Sequence, residues 1–461
     1  MEWLLIIVFV LGYLAIAFEH SLKIDKASAS LILGVSIWTL IILGGYHLIS
    51  TEQTGFRIFT EGLSIQHKLD PAAGTEHLKH LYVEHGLLEL VGEVAQILFF
   101  LIGAMAIVEV IDLHNGFRVI TDRITTTNAV KLLWLLSFIT FFLSAALDNL
   151  TTTIVMVSLL RKLIEDQHKR WFFAGMIVIA ANAGGAWSPI GDVTTTMLWI
   201  DGQISEVHIM KELILPSLVS LIVPLTVLSF ILKGELKRPV FADIPGARHQ
   251  KPDVTPGQST AIFAVGIGCL LFVPLFKILT HLPPFMGMLL SLGVLWIVTE
   301  LMHKRNEHGH MLSVISGLRR VDMASVLFFL GILLAIGGLQ LVGILSDLAL
   351  FLDSYISDIY VLNLIIGILS AIIDNVPLVA AAQGMYEIAA SGPYASDGSF
   401  WTMLAFCAGT GGSMLIIGSA AGVAAMGLEK IHFGWYLKHI SWLALLGYLG
   451  GAGIFVLMQS I

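Results

Sequence analysis

The sequence predicts an all-α polytopic membrane protein with two inverted-topology repeats, about ten crossing helices, two re-entrant helical hairpins and two unwound helices. Three observations predict it. Of 461 residues, 56% are hydrophobic and 13% charged, against roughly 25% charged in a soluble domain, and mean hydropathy is +0.87. The apolar stretches run to about 20 residues, enough to cross a hydrocarbon core as helices, and they are continuous rather than alternating as in an outer-membrane barrel. An Asp-Asn pair with apolar flanks occurs at matching places in two halves of the chain.

In chain order, the apolar spans are 1–18, 29–46, 87–110, 172–200, 212–232, 259–281, 284–301, 323–345, 401–428 and 434–459. The first starts without a basic segment or a cleavage site, so it reads as a span rather than a signal peptide. Segments 132–161 and 361–390 are too long for one comfortable span and too short for two, and each is interrupted by Asp-Asn. A hairpin with the polar pair at its tip satisfies both facts, provided the tip is buried in protein or faces a wet cavity. Segment 47–86, rich in His and polar residues, reads as a long exterior loop. The proline-rich stretch 234–258 reads as a cytoplasmic linker between a first repeat, 1–233, and a second, 259–461. Cys269 and Cys407 both lie in apolar runs, which argues against a disulfide frame or a thiolate metal site.

The distribution of Lys and Arg supports this count. Segments 161–171, 233–258 and 302–322 are basic, whereas 282–284, 346–360 and 391–400 hold neither residue. Basic loops stay in the cytoplasm, so the chain is expected in a bacterial inner membrane with both termini outside. The halves also match in detail. Leu143-Ser144-Ala145 before Asp148-Asn149 is mirrored by Leu369-Ser370-Ala371 before Asp374-Asn375. Gly184-Gly185 with Ile190-Gly191 is mirrored by Gly411-Gly412 with Ile417-Gly418. An odd number of crossings between the hairpins makes them enter from opposite faces, which puts a binding site at the midplane.

The polar residues at these breaks suit a hard cation. An ionised Asp inside a membrane must be paired, protonated or given a cation. Asp148, Asn149, Thr151, Thr152 and Thr153 offer carboxylate, amide and hydroxyl oxygens, which hard cations prefer to sulfur or imidazole. Ser188-Pro189-Ile190-Gly191 unwinds its span, and Asp192, Thr194 and Thr195 follow where a second half-helix begins. In the other half, Gly409 to Ser413 and Gly418 to Gly422 break the span, but Ser419 replaces the Asp. The first half thus holds two carboxylates and the second one. Plainer roles stay open: Asp192 as a simple helix cap, the threonines as donors to carbonyls one turn back, the glycines as close-packing contacts. His85, Glu89, Glu93 and Gln96 form one polar stripe, a cation funnel or pH-responsive element in which Glu93 lies deeper, or simply a wet helix end. His67, His77, His80 and His85 match no standard metal-ligand spacing.

The Asp-Asn-x-Thr tips, the Gly-Gly-x-x-Ser-Pro-Ile-Gly-Asp-x-Thr-Thr run and their second-half partners resemble the NhaD-type sodium/proton antiporters. That group belongs to an ion-transporter superfamily that also holds dicarboxylate/sodium symporters. The resemblance implies a multi-pass membrane protein, often a homodimer, that exports Na+ and Li+ in exchange for protons, serves pH homeostasis and needs no cofactor. It implies ion- and proton-binding roles for Asp148, Asn149, Asp192, Thr194, Thr195, Asp374 and Asn375, with Na+ at Asp148, Asn149, Asp192 and Thr194. Ser144, Thr151, Thr152, Ser188, Ser370, Ser413, Ser419, His85 and Glu93 follow behind these. Competition supplies the mechanism: burial and a neighbouring carboxylate both favour the protonated form, and Na+ displaces the proton. Asp148 with Asp192 is the expected primary site, and Asp374 a supporting group. A sodium-coupled anion symporter is the nearest rival, but acidic tips repel its substrate. No protease or acyltransferase motif argues for an enzyme, and nothing suggests a nucleic-acid partner.

Overall fold

The computed structural model describes residues 1–17, 22–51, 54–65, 74–121, 124–237, 254–304, 309–356, 358–372 and 374–460. Among them the regular structure is helical. The first half comprises α1 (Glu2–Ala17), α2 (Lys26–Leu43), α3 (Thr54–Ile65), α4 (Thr75–Leu113), α5 (Arg118–Thr121), α6 (Ala129–Leu147), α7 (Asn149–Leu163), α8 (Gln167–Ala186), α9 (Val193–Ile200) and α10 (Glu206–Ile231). The second half comprises α11 (Pro256–Thr280), α12 (Pro284–His303), α13 (Val314–Leu318), α14 (Met323–Leu341), α15 (Ile344–Tyr355), α16 (Ile359–Leu369), α17 (Asn375–Met385), α18 (Ser399–Gly411), α19 (Ala420–Glu429), α20 (Phe433–His439) and α21 (Ser441–Gln459). Side-chain caps set many of the starts: Asp25, Asn128, Asp166, Asp322 and Thr255 each accept a backbone N–H of the first turn.

Eight helices among the described residues are long and apolar enough to cross a membrane, or nine if α15 and α16 form one span. Seven of the eight are expected crossings, and the eighth, α6, is the first arm of the expected hairpin. The other three expected crossings are missing from the count because α1 has only 16 residues and the two unwound spans are split into pieces. Both unwound spans break where expected, α8 stopping at Ala186 and α18 at Gly411. Two expected loops are helical instead. Segment 47–86 contains α3 and the first turns of α4, because Phe56 and Phe59 pack on Tyr82 with ring centroids 5.5 Å apart. Segment 346–360 is largely α15, whose Leu345 and Ala349 repeat at helical spacing and are buried. Most of the linker, 238–253, lies outside the described residues, as does His67.

The chain forms two compact units. The first comprises residues 1–98, 322–357 and 379–387. Within it α2 and α14 cross at Gly34 and Gly331, where a Cβ on Gly34 would lie 2.6 Å from the Gly331 carbonyl oxygen. The backbones touch there because neither residue has a side chain, and the Trp38 indole N–H donates to the Leu334 carbonyl at 2.8 Å.

The second unit comprises 99–321, 358–378 and 388–461. Here the segment from α6 to α7 doubles back. Leu236 N–H donates to the Thr127 carbonyl before α6, and Glu165 N–H donates to the Lys237 carbonyl after α7. Adjacent residues thus hold both outer ends of the segment, so its tip, Asp148, lies at the far end of both arms.

The same unit holds a buried histidine pair, which nothing in the linear sequence marks. His114 follows α4 and His303 ends α12; both are buried, with their Nε2 atoms 2.9 Å apart. His114 Nδ1 donates to the Val110 carbonyl at 2.7 Å, which leaves its Nε2 as acceptor and makes His303 Nε2 the donor. The contact therefore tolerates a proton on one ring but not on both. Burial pushes the His114 imidazole below its ordinary value. The unfolded chain then takes up the proton first, so this contribution to stability is complete above about pH 6.5 and declines as pH falls below it. Thermal unfolding of purified protein between about pH 5 and 8 should show this loss. The double variant His114→Gln/His303→Gln should lose about 2 °C less over the same range.

Candidate ion site

The two chain breaks of the first half are built around aspartates. Asp148 ends α6 and caps α7 in a single residue, with φ 104° and ψ 159°. An L-residue in that region is strained by about 1–3 kcal/mol. The strain is offset locally, because the Asp148 carboxylate accepts both the backbone N–H and the hydroxyl of Thr151 at 2.8 Å. Asp192 caps α9 after the unwound stretch from Ser188 to Gly191, and its Oδ1 accepts the backbone N–H and hydroxyl of Thr194 at 3.0 Å. Glycine permits the approach of these elements: a Cβ on Gly184 would lie 2.2 Å from the Phe141 carbonyl oxygen.

The second half repeats these contacts. The Ser144 hydroxyl donates to the Ala181 carbonyl, and the Ser370 hydroxyl to the Ala408 carbonyl. Gly411 approaches Gly367 as Gly184 approaches Phe141. Ser419 caps α19 at φ −148° and ψ 153°, close to the −145° and 149° of Asp192. The backbone frame is duplicated even though the carboxylate is not.

Both halves meet at Asp192, which is 2% exposed. Asn149 donates to its Oδ2 at 2.8 Å, and Asn375 reaches both carboxylate oxygens at 3.3 Å. The charges of Asp374 and Asp148 both bear on it. The second amide proton of Asn149 goes to Asn182 Oδ1 at 3.0 Å, and the Asn182 amide donates to Ser413 and Ser419 at 2.9 and 3.0 Å. With α19 tied to them through Ser419 and Asn182, helices α7, α9 and α17 therefore begin around one carboxylate, which takes the place their positive ends would offer an anion. Its neutral donors leave the negative charge uncompensated.

The remaining predicted residues divide. Ser413 and Ser419 belong to the network through Asn182, and Thr151 supports Asp148. The Thr195 hydroxyl bonds back to the Asp192 carbonyl at 2.9 Å, and Ser188 donates to the Ala145 carbonyl at 2.6 Å. Ser144, Ser370, Ser188 and Thr195 thus hold backbone. Thr152 and Thr153 bury hydroxyl oxygens that have no hydrogen-bond partner, so α7 carries free oxygen donors one turn from the tip. His85 and Glu93 belong to the first unit. His85 is exposed beside Glu89 at 3.9 Å, and Glu93 lies two turns further along α4 on an exposed face of that helix. Among the described residues no group of three or more His, Cys, Asp or Glu forms a metal site. Two further polar residues are not marked by the sequence: Asn182, whose only signal is a lone amide within an apolar run, and Glu429, at the end of α19.

Comparison with known proteins agrees with this architecture. The family model described as citrate transporter, CitMHS, matches residues 13–404. Sodium/proton antiporter 2 of Arabidopsis thaliana is 45% identical over 96% of this chain and 97% of its own length. Sodium/proton antiporter 1 of the same plant is 45% identical over 99% of this chain and 72% of its own. The Na(+)/H(+) antiporter NhaD of Vibrio cholerae is 29% identical over 96% and 89%. Among solved structures, the Alcanivorax borkumensis YdaH transporter, reported to have an unusual topology, superimposes with a TM-score of 0.54 at 13% identity, over 95% of this chain and 98% of that one. That similarity concerns the fold alone. The chain belongs to the CitMHS family of membrane transporters, and sodium/proton antiporters of the NhaD type are among its relatives.

Proposed function

We propose that this chain exchanges Na+, and Li+, for protons across a membrane by letting the cation and the proton compete for Asp192, with Asp148 and Asp374 as linked carboxylates. One observation carries the reading: a buried carboxylate with only neutral donors stands where both halves and three helix starts converge. The site supplies its own anion, so what completes it is a cation or a proton. The amide oxygens of Asn149 and Asn375 and the unpartnered hydroxyls of Thr152 and Thr153 are the oxygen ligands that a hard cation takes. A site neutralised by Na+ or by protons crosses more readily than an empty charged one, which couples the two fluxes.

The sodium-coupled citrate or dicarboxylate symporter is the second reading, favoured by the name of the matching family model. It needs a cradle free of fixed negative charge, and Asp192 fills that cradle. On charge placement, the basic loops around Arg161, Lys233 and Arg320 face the cytoplasm and both termini lie outside. A bacterial inner membrane suits that orientation, and the relatives come from both plants and bacteria. A homodimer rests on the family resemblance, and the reading requires no cofactor.

Two outcomes test it. In everted vesicles, Asp192→Asn should abolish Na+-dependent collapse of a proton gradient, a loss of at least about 100-fold, while the protein still inserts and purifies as a folded species. Retained exchange in that variant would sink the assignment, and citrate-driven uptake would favour the symporter. Asn149→Ala should raise the KM for Na+ about tenfold, and Asn375→Ala less, because the Asn149 bond to Asp192 is the shorter of the two. Equal effects, or the reverse order, would contradict the geometry.

A further inference from the structure

Far from Asp192 the chain buries another carboxylate. Glu429 is the last residue of α19, and its side chain is 1% exposed. Arg161 of α7 donates through Nε to its Oε1 at 2.9 Å, and Arg170 of α8 donates through Nε to its Oε2 at 2.9 Å. The Arg170 Nη1 also donates to the Ile164 and Glu165 carbonyls, at 2.9 and 2.8 Å, in the turn between α7 and α8. The Trp171 indole N–H donates to the Glu429 backbone carbonyl at 3.0 Å. A carboxylate this deeply buried is retained only with such partners, and removing one of them leaves a charge stranded.

The helices that meet at Glu429 are the ones that meet at the ion site. Helix α7 runs from Asn149 to Arg161, α8 from Arg170 to Asn182, and α19 from its Ser419 cap to Glu429. At 1.5 Å per residue each path covers about 15–18 Å, and the three helices pack on one another along the way. One end of the trio is tied by the Asn149–Asn182–Ser419 hydrogen bonds, the other by two arginines on one glutamate. The halves of the repeat are involved unequally, since Glu429 comes from the second half and both arginines from the first.

We infer that Glu429 is a positioning residue for ion binding: with Arg161 and Arg170 it sets the relative placement of α7, α8 and α19, and through them the placement of Asn149, Asn182 and Ser419 around Asp192. A shift at one end of three packed rods moves the other end, and an amide displaced by a few tenths of an ångström no longer holds the carboxylate in its binding geometry. The inference rests on the proposal that Asp192 binds Na+.

Thermal unfolding of the purified full-length protein against Na+ concentration tests it, because a ligand bound to the native state raises Tm in proportion to its occupancy. Wild type should show a saturating Na+-dependent rise, and Glu429→Gln should move its midpoint about tenfold upward, with the KM for Na+ in vesicles following and Vmax changing less. Arg161→Gln, which leaves the Arg170 bond in place, should move the midpoint about threefold, and Arg161→Lys should restore most of it. If Glu429→Gln does not fold, the two Arg161 variants decide the matter. A lower Tm with an unchanged Na+ midpoint would mean that the triad is only architectural and would overturn the inference. No Na+-dependent rise in wild type would instead overturn the ion site itself, and the inference with it.

Discussion

A carboxylate taken out of water must be given donors, a proton or a cation, and the second unit of this protein is arranged around that requirement at Asp192. The residue is 2% exposed, yet its donors are neutral, so its charge is solvated by the fold without being cancelled. One of those donors, the Thr194 backbone N–H, is free only because its span stops and restarts inside the protein, since a continuous helix presents no free N–H groups in its interior. The unwound stretch at 187–192 thus serves the site directly, while the one at 412–419 and the break at Asp148 bring Ser413, Ser419 and Asn149 into its hydrogen-bond network. Glycines at 184 and 411 follow in turn, since the interrupted spans must approach neighbouring backbone more closely than a Cβ allows.

The duplicated frame explains how one residue can serve both halves. Ser144 and Ser370 make the same hydrogen bond, and Asp192 and Ser419 cap their half-helices with the same backbone angles. Asn149 and Asn375 are brought from the two halves to a single acceptor. Ser419, freed from being a charged group, instead accepts from Asn182. The unequal halves thus form one site with a single centre. That changes the standing of the second Asp-Asn pair: Asn375 is as much a partner of Asp192 as Asn149 is, at a longer distance.

Much of this arrangement is legible in the linear sequence, for physical reasons. Asp in an apolar run is too costly to be incidental, and paired Gly with Ser-Pro inside a span cannot continue a helix. Those rules located Asp148, Asp192, Asp374 and both unwound segments. Other features escaped them. Asn182 is neutral and interrupts no helix, so nothing in its neighbourhood marks it. Glu429 stands beside Lys430 at the end of a span, where a charged residue normally faces water, and only the approach of Arg161 and Arg170 buries it. The stretch 47–86 reads as a loop because it is polar, but polarity does not exclude a helix once Phe56 and Phe59 have Tyr82 to pack on.

The sequence by itself determined the solvent, the class of fold and the places where two spans break, because each follows from local composition or spacing. Hydrophobic length, the cost of an intramembrane charge and the helix-breaking of Gly and Pro need no knowledge of distant residues. Only the tertiary structure decided which carboxylate stands at the centre and what holds it. That choice depends on hydrogen bonds between residues far apart in the chain, Asn375 to Asp192 and Arg161 to Glu429 among them. Such pairings carry no periodicity and leave no mark in either partner's neighbours. They exist only because the folded chain packs α7, α8 and α19 together and brings the starts of α7, α9 and α17 to one carboxylate.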